Sequence, residues 1–430
     1  MNINENFKSS LKALDGPIHN FEDLRNFFDK QNEKSNFETK EIGIQNLKEW
    51  SFDSQGNLSH KSGKFFKVTG VVNETLKTGI LLQNEIGTLG CIASRLDGIM
   101  HFLIQFKKEP GNIVSSQLSP TLQATISNQQ KVHGGNAPKY MNYFHQNNNK
   151  NVIIEKLLPE QGDRYWRKFN NNIIVLADYF DEENEFKWMT LGQIYEFSKI
   201  NNSINSCLRS VLSLIPTKEL IDESKSKKNV EKIIDKEITN FEHKSKLEDS
   251  VVDFKEKNEL QFITNNDKFH IKGFSIAIKD REVSKWDQPL IYDPYLEKYI
   301  LISIIKKNKR YYLLKKYSEN GYENGFVFGP TYTDRTFIDK KDLNLLLKKV
   351  ESYGNLNLIR EIEMSEEGGR FINTAVKHCF YEISTNENFL TFDDYFLFDQ
   401  SEIHYLNCAG YLGIEARSLL FLSTTIYKDS

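Results

Sequence analysis

Glu109 stands beside Pro-Gly in the stretch EPGNIVSSQLSPT (109–121), between the apolar run HFLIQF and the polar stretch NQQKVHGGNAPKY. A carboxylate at a strand end, where loops commonly hold function, is placed to move a proton; the alternative is a solvated turn residue. Beyond it Gln117, Ser119, Thr121 and Gln123 alternate, so on an extended strand they share one face. That face either meets a ligand or bonds the backbone. His133 lies in NQQKVHGG, where glycines let backbone approach a ligand and an imidazole changes charge near neutral pH. Tyr143, in YMNYF, is a phenol donor or one of an aromatic pair with Tyr140. Glu160 in LPEQGDR and Glu366 in SEEGGR supply further carboxylates. Arg164 and Arg370 carry planar forks suited to phosphate, or to an ion pair within the domain. Trp50 and Trp286 are flat rings for stacking, or core.

The elements that must position these groups are written twice. FFKVTGVV (65–72) recurs as FHIKGFSI (269–276), and HFLIQFKKEPGN…QLSPT (101–121) as YYLLKKYSENGY…VFGPT (311–331). LPEQGDRYWRKFNNNIIVL (158–176) recurs as MSEEGGRFINTAVKHCFYE (364–382), and INSCLRSVLSLI (204–215) as LGIEARSLLFLS (412–423). Four blocks in one order, at shifts of 206 to 210, indicate two similar domains rather than a solenoid. Within a copy, KFFKVTGVV, GILLQ, TLGCIAS, MHFLIQFK and NVIIEKLL read as strands, and WMTLGQIYEFSKINNSINSCLRSVLSLI as helices. The fold class is therefore α+β, a mixed sheet closed by helices, in tandem. Residues 1–40 form a polar, partly helical leader, 41–218 the first repeat and 219–430 the second, opened by a charged helix within 216–250.

Composition narrows the class. At 430 residues with 39% hydrophobic and 12% aromatic content, the chain can build two cores. A net charge of −3 argues against a general nucleic-acid or membrane-surface binder. Neither a signal-peptide pattern nor a membrane-spanning apolar run is present. Cys91, Cys207, Cys379 and Cys408 are scattered without CxxC spacing, which suits a reducing cytoplasm.

The motifs EIGTLG (85–90), HFLIQFKKEPGN (101–112), QLSPTLQAT (117–125), YMNYF (140–144) and LPEQG (158–162) resemble the NDP-hexose 2,3-dehydratases. WDQPLI (286–291), SEEGGRF (365–371) and EARSLL (415–420) are similar to that family's second half. The resemblance implies two tandem, duplicated Nudix-like domains and a homodimer. It also implies a dTDP-linked nucleoside-diphosphate-4-keto-6-deoxyglucose as substrate, with a separate 3-ketoreductase acting on the product. It places His133, Glu109 and Tyr143 as catalysts. Substrate contacts then fall to Trp50, Gln117, Ser119, Gln129, Lys131, Glu160, Arg164, Trp286, Glu366, Gly368 and Arg370. The second half is expected to hold only a vestigial pocket, because it has no histidine in 311–377 and replaces Pro110-Gly111-Asn112 by Asn320-Gly321-Tyr322.

The chemistry so implied needs no cofactor and no metal. The ketone acidifies the C3 hydrogen, a base removes it, an acid assists departure of the C2 hydroxyl, and the enol becomes a 3,4-diketone. One rival is a Nudix-type pyrophosphohydrolase, whose glutamates must sit three and four apart on a helix to hold Mg²⁺. REIEMSEEGG (360–369) comes nearest, but Met364 and Ser365 fall where paired glutamates belong. A non-catalytic nucleotide-sugar-binding protein is the other alternative.

Overall fold

The computed structural model describes residues 3–33, 37–73, 76–125, 138–144, 151–216, 223–239, 246–248, 254–257, 260–265, 269–278, 284–334, 340–385, 394–424 and 426. Two series of strands follow one another along the chain. The first is β1 Phe37–Glu41, β2 Trp50–Phe52, β3 Leu58–His60, β4 Lys67–Asn73, β5 Leu76–Leu82, β6 Gly87–Leu96, β7 Ile99–Lys107, β8 Gln117–Ser119, β9 Leu122–Ala124, β10 Val152–Pro159, β11 Phe169–Leu176 and β12 Phe186–Thr190. The second is β13 Lys246–Glu248, β14 Phe254–Lys257, β15 Leu260–Asn265, β16 Phe269–Ile278, β17 Lys285–Tyr292, β18 Glu297–Lys306, β19 Lys309–Tyr317, β20 Val327–Gly329, β21 Tyr332–Thr333, β22 Asn357–Ser365, β23 Ala375–Ser384 and β24 Tyr395–Asp399. The helices are α1 Ile3–Lys12, α2 Phe21–Glu33, α3 Leu191–Phe197, α4 Ser206–Leu212, α5 Glu223–Thr239, α6 Lys340–Glu351, α7 Gln400–Cys408 and α8 Ile414–Ser423.

Each half builds a seven-stranded mixed sheet. One runs β10-β11-β6-β7-β12, with β8 on β7 and β9 on β6; the other runs β22-β23-β18-β19-β24, with β20 on β19 and β21 on β18. β6–β11 and β18–β23 are parallel pairs and their neighbours are antiparallel. Two five-stranded sheets repeat the correspondence, and here the first strand of each series crosses over. β1 pairs with β16 of the second half, while β13 pairs with β4 of the first. The sequence boundary at 40/41 therefore cuts through β1, and the leader contributes a strand as well as helices.

Local chemistry explains the turns and caps. The β6–β7 hairpin closes through Asp97 and Gly98 at φ 48° and 82°, the left-handed pair that a two-residue turn between right-twisted strands demands. Lys307 and Asn308 do the same between β18 and β19 at φ 50° and 58°. Thr190 and Gln193 form a capping box on α3, as Asp399 and Glu402 do on α7.

The main core lies between the large sheets. Cys91, Phe102, Leu118 and Ile174 of the first half join Leu301, Leu314, Phe328 and Phe380 of the second, with α4 and α8 among them. The charged stretch after residue 216 does form a helix, but α5 also buries Val230 and Ile234 in this core. Trp188 and Met189, expected in a helix, lie in β12, because their run pairs with β7 before the Thr190 cap. No helix among the described residues is long and apolar enough to cross a membrane.

Candidate active site

The Pro-Gly turn after β7 is a hook into the other half. Gly111 N donates to Gly368 O at 2.8 Å, and Asn373 N donates to Gly111 O at 2.9 Å. A Cβ on Gly111 would stand 1.6 Å from the Phe371 carbonyl oxygen, so only glycine fits. The second half reciprocates. Gly321 N donates to Gly162 O and Gly321 O accepts from Arg167 N, each at 2.7 Å, and a Cβ on Gly321 would meet Tyr165 O at 1.8 Å. Thr121 has an equally plain task. Its hydroxyl donates to Leu103 O and accepts from Ile92 N, joining β7 to β6 where the strands part, and Thr331 does the same with Leu313 and Ile302.

The first hook carries Glu109 to the wall of a cavity of about 1240 Å³ lined from both halves. Gln123 holds two carboxylates there: its Nε2 donates to Glu109 Oε1 at 3.1 Å and to Glu367 Oε1 at 2.8 Å. Its own oxygen accepts from Ser119 Oγ and Asn205 Nδ2, both at 3.2 Å, which fixes the amide with its donors toward the acids. Lys107 Nζ lies 2.9 Å from Glu109 Oε1. The other oxygen of Glu109, a residue only 3% exposed, has no hydrogen-bond partner among the described residues. The Glu367 carboxyl, set deep in the cavity, is pushed up to about 7 by burial and then by the charge of Glu109. Glu367, with its carboxyl raised toward neutrality, thus stands beside Glu109, one of whose oxygens has no hydrogen-bond partner among the described residues.

Three further carboxylate positions decide where the cavity opens. Arg164 is fully enclosed by Asp163 at 2.5 Å, Asp293 at 2.9 Å and Glu297 at 3.3 Å, with Phe269 against its plane at 3.9 Å. Its repeat counterpart Arg370 has Gly369, Gln83 and Gly87 at the equivalent positions, none of them acidic. Arg370 consequently lies over Phe66 at 4.5 Å and lines the cavity. At the position aligned with Asn112, Tyr322 is 3% exposed and packs on Gly162, whose Cβ would lie 2.9 Å from the ring. Glu367 and Gln123 have Gln161 and Thr333 as their repeat counterparts.

The sequence pattern of one family, described as NDP-hexose 2,3-dehydratase, matches residues 21–215 and 245–422. The chain belongs to that family. Among its relatives, a dTDP-4-dehydro-6-deoxy-alpha-D-glucopyranose 2,3-dehydratase of Amycolatopsis orientalis is 29% identical, over 96% of this chain and 92% of the relative. The enzyme of that name from Saccharopolyspora spinosa is 28% identical over 96% and 93%, and that of Streptomyces violaceoruber 26% over 78% and 81%. A solved ADP compounds hydrolase aligns with 42% of this chain and 94% of its own at 12% identity and a TM-score of 0.27, too slight a likeness to assign a fold.

In this dehydratase-family chain the cavity gathers Glu109, Glu160, Glu366, Arg370, Trp50 and Trp286, all of them candidates from sequence. Glu160 Oε1 accepts from Asn170 Nδ2 at 2.6 Å, and burial raises its pKa. Glu366 Oε1 accepts from the Tyr299 hydroxyl at 3.2 Å. Trp50 Nε1 donates to Asp287 O at 3.1 Å, which holds its ring beside Phe66.

Four other candidates stand elsewhere. Gln117 is buried, its amide donating to Asn202 O and Ser365 Oγ, so it fastens one half to the other. Ser119 acts behind Gln123 and does not line the cavity. The expected shared face fails because Pro120 separates β8, which pairs with β7, from β9, which pairs with β6. Arg164 is consumed by its carboxylates, and Tyr143 stacks on Phe180 at 5.6 Å in an aromatic cluster outside the cavity. Gly368 is beside the site, where a Cβ would meet Asn112 Oδ1 at 2.2 Å. Gln129, Lys131 and His133 lie outside the described residues.

REIEMSEEGG lies on strand β22 and the turn after it, so its glutamates lack the helical spacing a Nudix metal site needs. Among the described residues no group of three or more His, Cys, Asp or Glu is arranged to hold a metal ion. Sequence reading passes over Glu367 and Lys168 and takes Gln123 only as part of an alternating face, although all three line the cavity. The usable signal was mismatch between the repeats, since each of the three stands opposite a residue of different chemistry.

Proposed function

We propose that this chain is a hydro-lyase removing the C2 hydroxyl of dTDP-4-keto-6-deoxyglucose, with Glu109 and Glu367 as its acid/base pair. The carrying observation is Gln123 bridging two carboxylates from opposite halves at one cavity wall. Glu109, beside the Lys107 ammonium and with one oxygen free of hydrogen bonds among the described residues, takes the C3 proton. Negative charge moves to the C4 oxygen. Glu367, protonated near neutrality, gives its proton to the C2 hydroxyl, which departs as water. The C2–C3 enol then gains a proton at C2 from Glu109 and loses its O3 proton to Glu367, which restores both acids and leaves the 3,4-diketo-2,6-dideoxy sugar. Trp50, Trp286 and Arg370 form the aromatic and cationic end suited to the nucleotide diphosphate. His133 remains a further acid/base candidate on its sequence context.

The two halves are, on this reading, copies of one ancestral Nudix-like unit. The identical strand order of the large sheets supports that view, as does the reciprocal exchange of β1 and β13. The active site is shared between the halves, and Tyr322 makes the mirror pocket vestigial. A cytoplasmic homodimer, with a separate 3-ketoreductase consuming the product, completes the proposal. Incubated with dTDP-4-keto-6-deoxyglucose and a 3-ketoreductase, the protein should yield a 2,6-dideoxy sugar nucleotide at a rate unchanged by EDTA. A Mg²⁺-dependent release of sugar phosphate would show the hydrolase instead.

A further inference from the structure

Loss of the C3 proton puts negative charge on the C4 oxygen, and a buried donor aimed at that oxygen lowers the barrier far more than a solvated one. The cavity contains several cations, and most are committed. Lys107 is paired with the Glu109 carboxylate, Lys108 is only half-buried, Lys139 is held between Glu183 and Glu185, and Lys285 is exposed. Arg370 lies against Phe66 and donates to the Gly369 carbonyl at 2.9 Å.

Lys168 is different. It is 5% exposed, lines the cavity, and donates to the backbone carbonyl of Glu85, which uses one of its three N–H donors. Its main chain is tied to the acid segment, since Glu160 N donates to Lys168 O at 2.9 Å. The second half has the same tie, from Glu366 N to Thr374 O at 3.0 Å, and places an uncharged threonine there. The ammonium thus lines the cavity, and the residue aligned with it in the second half is uncharged. A cation taken out of water without a close carboxylate forfeits its hydration uncompensated, so a structural role alone is poorly served by it.

We propose that Lys168 is a catalytic residue, donating from Nζ to the C4 oxygen as the enolate forms. This rests on the 2,3-dehydration reading above. Burial lowers its pKa to about 8, with Glu160 opposing, Arg370 adding to the fall, and Glu85 and Glu367 opposing. Lys168 therefore remains charged through neutrality and loses its charge above about pH 8.

The test follows deuterium entry at C3 and dehydration in parallel, in the full chain, with dTDP binding as a check on folding. In Lys168→Met both rates should fall together by about 10²–10³, the loss expected for one oxyanion donor. dTDP binding should stay within about threefold, and Lys168→Arg should recover about tenfold by restoring the charge. Exchange at C3 near the wild-type rate in Lys168→Met would overturn the assignment while leaving the dehydratase reading intact. Wild-type protein that neither exchanges nor dehydrates would overturn both.

Discussion

Arg209 and Arg417 make the same three hydrogen bonds in opposite directions across the molecule. Arg209 donates to Ile204 O, to Ser418 Oγ at 3.2 Å and to Ser365 O at 3.2 Å, just before Glu366 and Glu367. Arg417 donates to Leu412 O at 2.6 Å, to Ser210 Oγ at 3.1 Å and to Pro159 O at 2.8 Å, just before Glu160. Each guanidinium ties the other half's acid-bearing segment to its own helix. Replacing either by alanine leaves three buried acceptors without donors, at about 1–3 kcal/mol each. Both variants should unfold at clearly lower urea concentration, with a loss of at least about 3 kcal/mol. A loss below about 1 kcal/mol would show that the struts are dispensable.

The two glycine hooks separate architecture from chemistry. Gly111→Ala and Gly321→Ala both force a Cβ into a carbonyl oxygen, so both should lower the melting temperature to a similar degree. Only Gly111 adjoins the acid/base pair. Its alanine variant should lose turnover by about 10²-fold even where folded, while Gly321→Ala keeps it within about tenfold. Equal kinetic losses would mean that the mirror hook serves the reaction too.

The raised pKa of Glu367 has a kinetic and a thermodynamic consequence. As the proposed proton donor it must be protonated, so kcat/KM should fall tenfold per unit above about pH 7. The folded state holds this proton more tightly than the unfolded chain does. The resulting stability is fully present below the ordinary carboxyl range and is lost as pH rises through about 7. Melting temperature should therefore decline between pH 5 and 8 more steeply in wild type than in Glu367→Gln, and parallel curves would contradict the assignment.

The corresponding position in the second half supplies an internal control. Glu319 aligns with Glu109 in sequence, and Tyr322 N donates to its backbone oxygen at 3.2 Å. Glu319→Gln should keep turnover within about threefold, whereas Glu109→Gln should not, a contrast of at least about 1.4 kcal/mol in barrier. Steady-state rates for the two proteins suffice to decide this.

Strands such as β6, β7 and β10 were legible because apolar runs bounded by turn residues leave few alternatives. The two large sheets follow the same strand order. Identity of residue did not reveal role, however. Arg164 and Arg370 look equivalent in sequence, but Asp293 and Glu297, more than 125 positions away from Arg164, enclose the first alone. Glu367 was hidden for a related reason. Its meeting with Glu109 is made across the halves, between positions 244 residues apart for Gln123 and Glu367, and spacing along the chain carries no trace of it. The shared pair Thr121 and Thr331 serves the scaffold, the shared pair Glu109 and Glu319 does not reveal which half lines the cavity, and Glu367, Gln123 and Lys168 stand opposite residues of different chemistry.

The most direct measurement of the central claim is deuterium entry at C3 of dTDP-4-keto-6-deoxyglucose, followed beside dehydration in Glu109→Gln and Glu367→Gln. Glu109→Gln removes the base, so exchange and dehydration should both fall by about 10²–10⁴. Glu367→Gln removes the acid and keeps the base, so exchange should persist near the wild-type rate while dehydration falls by a similar factor. Exchange that survives loss of Glu109, or dehydration that survives loss of both carboxylates, would contradict the account.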